Sequence, residues 1–244
     1  MKILVIHQYY LMPGSAGGSR FNELARFWRE QGHDVQVIAG NLDYSSGQAP
    51  DSHRGFWVKR FVEDGIPVWR CHVPKAYTQG YGGRMWAFFA FTLSAATAVV
   101  QAERPDVVIA TSPPLITAMP GWLAAKARFA PVPWVFEVRD LWPESAVTTG
   151  VLREDQVLTR LLYALEAWAY EQADRINVLT PAFREDLLKR KLAGARRIFF
   201  VPNGADVEHF TPGPRDNAVR REQGWGDKTV VLYAGAHGRA NALG

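Results

Sequence analysis

The sequence predicts an α/β fold of the Rossmann-like, doubly wound kind, with a parallel sheet buried between helices. Three observations predict it. Short apolar runs alternate with longer runs of helical period along most of the chain. The short runs lack the polar alternation of a half-wet strand, as expected where helices cover both faces of a parallel sheet. Each run is followed by polar residues, the position at which open parallel sheets bind ligands. With 48% hydrophobic residues in a length of 244, the chain can bury a full core, so disorder is excluded as its main state.

The elements follow in order. Ile3 to Ile6, Phe21 to Glu30 and Val35 to Ala39 read as strand, helix, strand, a βαβ unit. In the helix, Phe21, Leu24, Ala25 and Trp28 recur at offsets of three and four and mark the buried face; Glu23, Arg26 and Arg29 mark the wet one, and Gly32 supplies a stop. Residues 40–54 are rich in Asn, Asp, Ser, Gly and Pro and read as a long loop. Arg84 to Glu103 forms a helix apolar on nearly all sides. Trp86, Phe89, Leu93 and Val100 make one stripe and Phe88, Phe91, Ala95 and Val99 another, so the helix is either buried or pressed on a membrane. Its uncharged stretch from Met85 to Val100 falls short of the roughly 20 residues of a membrane span. Strands are expected at Val107 to Ala110, Val135 to Val138, Ile176 to Leu179 and Ile198 to Val201, with a helix through Leu158, Leu161, Leu162, Leu165, Trp168 and Ala169.

Beyond Val201 the composition shifts to Pro and Gly, as in a linker, before a β-branched run at Thr229 to Ala234. The expected division is a domain over 1–205, a linker over 206–228 and the start of a second domain over 229–244. Cys71 is the sole cysteine, which excludes an internal disulfide and suits a reducing cytoplasm; the apolar run after Lys2 is too short for a signal peptide. Lys and Arg exceed Asp and Glu by 28 to 24, a mild excess compatible with an anionic partner or with ordinary solvation.

The strand ends carry the candidate chemistry: His7 and Gln8, Thr111 and Ser112, Arg139 and Asp140, Thr180, and Asn203. Pro13-Gly-Ser-Ala-Gly-Gly-Ser-Arg20 lies between a strand and a helix. There the backbone N–H groups of Gly17 and Gly18 can approach a phosphate, with Arg20 at the helix start; a plain tight turn would use the same glycines. The loop fits neither G-x-G-x-x-G nor a Walker A motif, which disfavours an NAD enzyme and a P-loop NTPase. In Glu137-Val-Arg-Asp-Leu-Trp-Pro-Glu144, acids and a base stand beside Trp142. Such a group can bind sugar hydroxyls and stack a ring, or close a strand end by salt bridges over a core tryptophan.

With Gly17-Gly18-x-Arg20, Glu137 to Glu144, Val201-Pro-Asn-Gly-Ala-Asp206 followed by Phe210 and Pro212, and Tyr233-Ala-Gly-Ala-His-Gly238, the chain resembles the retaining glycosyltransferases of family 4. Those enzymes have the GT-B fold of two facing Rossmann-like domains, and this chain looks like the amino-terminal half with a short stump of the second. The Arg-Asp-Leu-Trp-Pro form is similar to members that build bacterial surface polysaccharide and lipopolysaccharide, fucosamine-type transferases among them. The resemblance implies transfer from a UDP- or GDP-linked sugar to a lipid-linked or saccharide acceptor, with retention, without a metal or other cofactor, and with no nucleic-acid partner. It places Gly17, Gly18, Arg20, Gly235 and Gly238 at the donor diphosphate. Asp140 and Glu137 become the catalytic candidates, and His7, Ser112, Arg139, Trp142, Glu144 and Asn203 face the acceptor or sugar. It also implies a cytoplasmic location with peripheral contact to the inner membrane face through helix 84–103. Because the rest of a second domain lies outside these 244 residues, the chain alone is expected to be inactive or nearly so. The alternative is a non-catalytic module that binds an acceptor or a partner.

Overall fold

The first strand, β1 (Lys2–Ile6), runs into helix α1 (Arg20–Glu30) and returns as β2 (Asp34–Gly40), paired in parallel with β1. Phe21 and Ala25 of α1 are buried, and Leu24 and Trp28 pack with them on Ile3, Val5, Val35, Val37 and Ala39, so the helix covers one face of the sheet. The structure, a computed structural model, describes all residues except 16, 18, 19, 44, 45, 76–79, 129, 205, 206, 208–210 and 234–244, and the side chain of Tyr81.

A hairpin follows that the sequence reading placed nowhere: β3 (Val58–Glu63) pairs antiparallel with β4 (Ile66–Cys71). Its two-residue turn is Asp64-Gly65, with φ of 49° and 73°. Asp-Gly is the dipeptide that such a left-handed turn selects, and its twist matches that of the flanking strands. The expectation of an all-parallel sheet is corrected at this edge, because a two-residue turn can only reverse the chain.

Helix α2 (Gly80–Gln101) crosses the opposite face and leads to β5 (Val107–Ser112). Next come α3 (Ala118–Trp122), β6 (Trp134–Val138), α4 (Glu144–Thr148), α5 (Val157–Gln172), β7 (Arg175–Val178), α6 (Pro181–Lys189) and β8 (Ile198–Phe200). The sheet order is β3-β4-β2-β1-β5-β6-β7-β8, parallel in every pairing but the first. Alternate residues of the parallel strands feed two cores. Leu4, Ile6, Ile38, Val108, Ala110, Phe136, Val138 and Ile176 join Phe91, Ala95 and Val99 of α2 in the larger one. This is a Rossmann-like α/β sheet. The chain winds toward β2 from β1 and toward β8 from β5, so the topological switch point lies between β1 and β5, where such sheets open a ligand crevice.

The two stripes of α2 have opposite fates. Phe91, Ala95 and Val99 are fully buried, whereas Trp86, Phe89, Leu93 and Val100 are 45–55% exposed. By length and composition Gly82–Gln101 is long and apolar enough to cross a membrane, more than the sequence count allowed, but one side of it is core.

Contacts divide the chain into Met1–Pro202 and Asn203–Gly244. In the second unit the short helix α7 (Ala218–Glu222) forms inside the expected linker, capped by Asn217, whose Oδ1 accepts from the Arg220 amide at 3.0 Å. The strand expected at 229–234 is not formed over its described residues 229–233, where Val231 and Leu232 are exposed.

Candidate functional site

At the switch point, the carboxyl ends of β1 and β5 present two pairs of buried polar residues: His7 and Gln8 after β1, Thr111 and Ser112 closing β5. None is more than 4% exposed. His7 Nδ1 lies 2.7 Å from Thr111 Oγ1, and its Nε2 lies 3.2 Å from Nη1 of Arg139, just beyond β6. A guanidinium can only donate, so Nε2 accepts and Nδ1 carries the proton that goes to Thr111. Burial first, and the Arg139 charge second, hold the His7 pKa well below its ordinary value, which keeps the ring neutral. The Arg139 amide donates to Ser112 O at 2.9 Å and joins β6 to the same cluster.

Among the described residues, the buried side-chain atoms here that have no hydrogen-bond partner include Gln8 Oε1 and Ser112 Oγ. Leaving a buried polar atom unpaired costs about 1–3 kcal/mol, so such atoms at the switch point call for an explanation. The backbone brings Gln8 in by close approach. The Gly40 amide donates to Gln8 O at 2.9 Å, and a Cβ on Gly40 would stand 2.9 Å from that same oxygen.

Register places Glu137 beside Thr111 and Asn177 beside Glu137, extending the polar row across β6 and β7. This second cluster is closed on itself. Arg20 grips Glu137 through Nε to Oε1 at 3.0 Å and Nη2 to Oε2 at 3.1 Å, and Asn177 Nδ2 donates to Oε2 at 2.8 Å. Arg20 also donates to the carbonyls of Val201 and Pro202, while Asn177 Oδ1 accepts from the Val201 amide at 2.9 Å. The network ties the start of α1 to three strand ends. Arg20, expected at a diphosphate, has its guanidinium on Glu137 and on two carbonyls. Glu137, expected as a catalytic group, has both carboxylate oxygens engaged by Arg20 and Asn177.

The other candidates disperse. Asp140 is half-buried and accepts from Ser145 Oγ at 3.1 Å. Glu144 accepts from the Tyr163 hydroxyl at 2.7 Å; burial and that bond push the tyrosine pKa up to about 12. Trp142 packs against the larger core. Thr180 caps α6 by accepting from the Phe183 amide at 3.2 Å, a structural task. Gly17 is exposed, with φ of 153°. Asn203 is exposed in the second unit, and Gly18, Gly235 and Gly238 lie outside the described residues.

With this polar cluster in place at the switch point, residues 15–204 match the model of the glycosyl transferase 4-like domain. The chain belongs to that family. It is 33% identical over 145 residues to the probable glycosyltransferase WbjE of Pseudomonas aeruginosa, across 59% of this chain and 35% of that protein. It is 25% identical over 252 residues to the putative colanic acid biosynthesis glycosyl transferase WcaI of Escherichia coli (strain K12), across 100% of this chain and 60% of that one. The glycosyl transferase 4-like chain therefore spans between about a third and three fifths of the length of these relatives. Among solved structures, the catalytic domain of starch synthase IV from Arabidopsis thaliana, bound to ADP and acarbose, superposes with a TM-score of 0.56 at 12% identity, over 88% of this chain and 53% of that one. At that identity the likeness is one of fold, here the GT-B glycosyltransferase fold.

Sequence reasoning noted Gln8 and Thr111 in this glycosyl transferase 4-like chain only as polar strand ends, and it passed over Asn177, Glu63 and Arg70. The last two are paired across the β3–β4 hairpin, and Arg70 is fully buried. The available signal was Asp64-Gly65, which sets Glu63 and Arg70 on adjacent strands.

Proposed function

We propose that this chain forms the acceptor-holding half of a glycosyltransferase that moves a sugar from a UDP- or GDP-linked donor, with retention and without a metal, onto a lipid-linked or saccharide acceptor in bacterial surface polysaccharide synthesis. The observation that carries the reading is the pair of unpartnered buried atoms, Gln8 Oε1 and Ser112 Oγ, at the switch point beside neutral His7 and Arg139. A sugar hydroxyl both donates and accepts, so it suits an amide oxygen and a serine hydroxyl alike. A neutral His7 leaves Arg139 as the positive group of the cluster, suited to a phosphate oxygen. Asp140, at the rim, is the carboxylate assigned to the transferred or accepting sugar, and the backbone at Gly17 is assigned to the donor diphosphate. The family and the colanic acid transferase among the relatives support the reaction class and the polysaccharide role.

Calorimetric titration of UDP and GDP into this chain, and into the protein from its complete reading frame, tests the division of labour. Binding by the longer protein alone is expected. Tight binding by residues 1–244 would overturn the acceptor-side assignment. Sugar transfer is expected to be undetectable with this chain alone.

The reading includes a lipid surface. Trp86, Phe89, Leu93 and Val100 line the exposed side of a helix that carries no acidic residue, and Arg84 lies at its beginning. Co-sedimentation with phosphatidylglycerol vesicles is expected, and Trp86→Ser with Leu93→Ser is expected to abolish it. Equal retention of the double variant would remove the membrane from the proposal.

A further inference from the structure

The segment between β1 and α1 is held at one point from two sides. Arg70 Nη1 donates to Tyr10 O at 2.8 Å and to Gly40 O at 2.9 Å, and its Nη2 donates to Leu11 O at 3.3 Å. The remaining donors go to Glu63, Nε to Oε1 at 2.9 Å and Nη2 to Oε2. The Tyr10 ring lies 5.8 Å from the guanidinium carbon. From the other side, Asn22 of α1 pairs with both backbone groups of Leu11: the Leu11 amide donates to Oδ1 at 3.1 Å, and Nδ2 donates to Leu11 O at 3.0 Å. Further along, Ser15 Oγ donates to Asp43 and the Ser15 amide donates to Met12 O at 3.0 Å.

Side-chain clamping of loop backbone is costly to build with a buried charge, because Arg70 and Glu63 must both be desolvated. An apolar pair would fill the same space. What the ion pair adds is direction. The guanidinium is a rigid fork whose donors fix two loop carbonyls relative to the end of β2, and the Asn22 amide fixes the same loop residue relative to α1. The loop so fixed carries Gly17 at one end and His7 and Gln8 at the other.

We infer that Arg70 and Asn22 are positioning residues of the transferase, which clamp Leu11 and thereby set the glycine-bearing loop against the donor diphosphate. The inference rests on the reading of that loop given above. Neither residue touches substrate; each acts through the backbone of Tyr10 and Leu11. Asn22→Asp is the gentle variant, since it keeps the size and the acceptor and removes one donor. Arg70→Lys keeps the charge and removes the fork.

The test uses the protein from its complete reading frame. Backbone amide exchange at Leu11 and Ser15 is measured without ligand, and steady-state rates are measured with the nucleotide sugar and the acceptor varied in turn. For Asn22→Asp, faster exchange at Leu11 is expected. The KM for the nucleotide sugar should rise about five- to tenfold, the loss of roughly one hydrogen bond, with acceptor KM and melting temperature little changed. Unchanged exchange at Leu11 in both Asn22→Asp and Arg70→Lys would overturn the clamp. Gly17→Val, which disturbs the loop directly, separates the two ideas. If Gly17→Val raises the donor KM and Asn22→Asp does not, the positioning role is wrong and the loop assignment stands. If neither variant changes it, the loop assignment fails and the positioning role falls with it. Equal loss of kcat against both substrates, in step with a lower melting temperature, would reduce Arg70 and Asn22 to stability alone.

Discussion

Two buried polar constellations, one on the β3–β4 hairpin and one at the ends of β1 and β5, differ in where their unsatisfied atoms lie. Around Arg70 each N–H of the guanidinium has an acceptor, from Glu63 or from a loop or strand carbonyl. Around His7 the ring is fully bonded, yet Gln8 Oε1 and Ser112 Oγ at the same strand ends have no partner among the described residues. Burial of polar groups is common to both, so burial does not distinguish a site from a strut. Leftover hydrogen-bonding capacity is present in both, on His53 Nε2 at 3.6 Å from Glu63 Oε1 and on Gln8 and Ser112, so the distinction lies in its place: only the second lies at the switch point, where such sheets bind ligands.

The comparison can be broken most forcefully at Arg70. Arg70→Met is expected to destabilise the fold by about 3–5 kcal/mol, because it strands the Glu63 carboxylate without its partner. In urea or thermal unfolding, the double change Arg70→Met with Glu63→Leu is expected to recover most of that loss. Failure of the double variant to recover would mean that the loop contacts, and not the ion pair, dominate the cost.

A smaller effect is expected from pH. The His7 pKa is depressed below its ordinary 6.5 by burial and by Arg139, so the unfolded chain binds the proton more readily than the fold does. The contribution is fully present above about pH 6.5 and is lost as pH falls below it toward the depressed native value. His53 and His72 are shifted the same way, chiefly by burial, so the test is a difference. The stability of the native sequence minus that of His7→Gln should shrink between pH 7 and pH 5. A constant difference would show that His7 is not held neutral.

The smallest change in stability is expected where function should suffer most. Gln8→Met and Ser112→Ala remove orphaned atoms, so unfolding free energies should stay within about 0.5 kcal/mol of the native sequence or rise. Sugar transfer by the protein from its complete reading frame should fall at least tenfold with either. A loss of more than about 2 kcal/mol in stability would mean that these side chains are bonded in the folded protein and belong with the struts.

Much of the fold was legible. The α1 stripe of Phe21, Leu24, Ala25 and Trp28 faces the sheet, and the apolar runs from Ile3, Val35, Val107, Val135, Ile176 and Ile198 all begin in strands; burial writes itself as unbroken hydrophobicity in the inner ones, whereas Phe199 and Phe200 of the edge strand β8 are exposed. The β3–β4 hairpin was also written, in Asp64-Gly65, but its strands mix Lys59, Arg60 and Arg70 with apolar residues and do not read as a buried run. At the site, polar strand ends marked His7, Gln8, Thr111, Ser112 and Arg139 one by one.

Pairing was decided only by the tertiary structure. Arg20 and Glu137 stand 117 positions apart in the chain, and a local reading gave one to a diphosphate and the other to catalysis. Strand order brings them together as an ion pair at 3.0 Å. The two stripes of α2 are equally apolar in sequence; contact with the sheet buries Phe91 and leaves Trp86 at the surface. Local sequence determines which residues can be buried or can carry charge, since periodicity and residue chemistry are local properties. Which charges cancel, and which buried atoms remain unsatisfied, depends on distances across the sheet, and those exist only once the chain has folded.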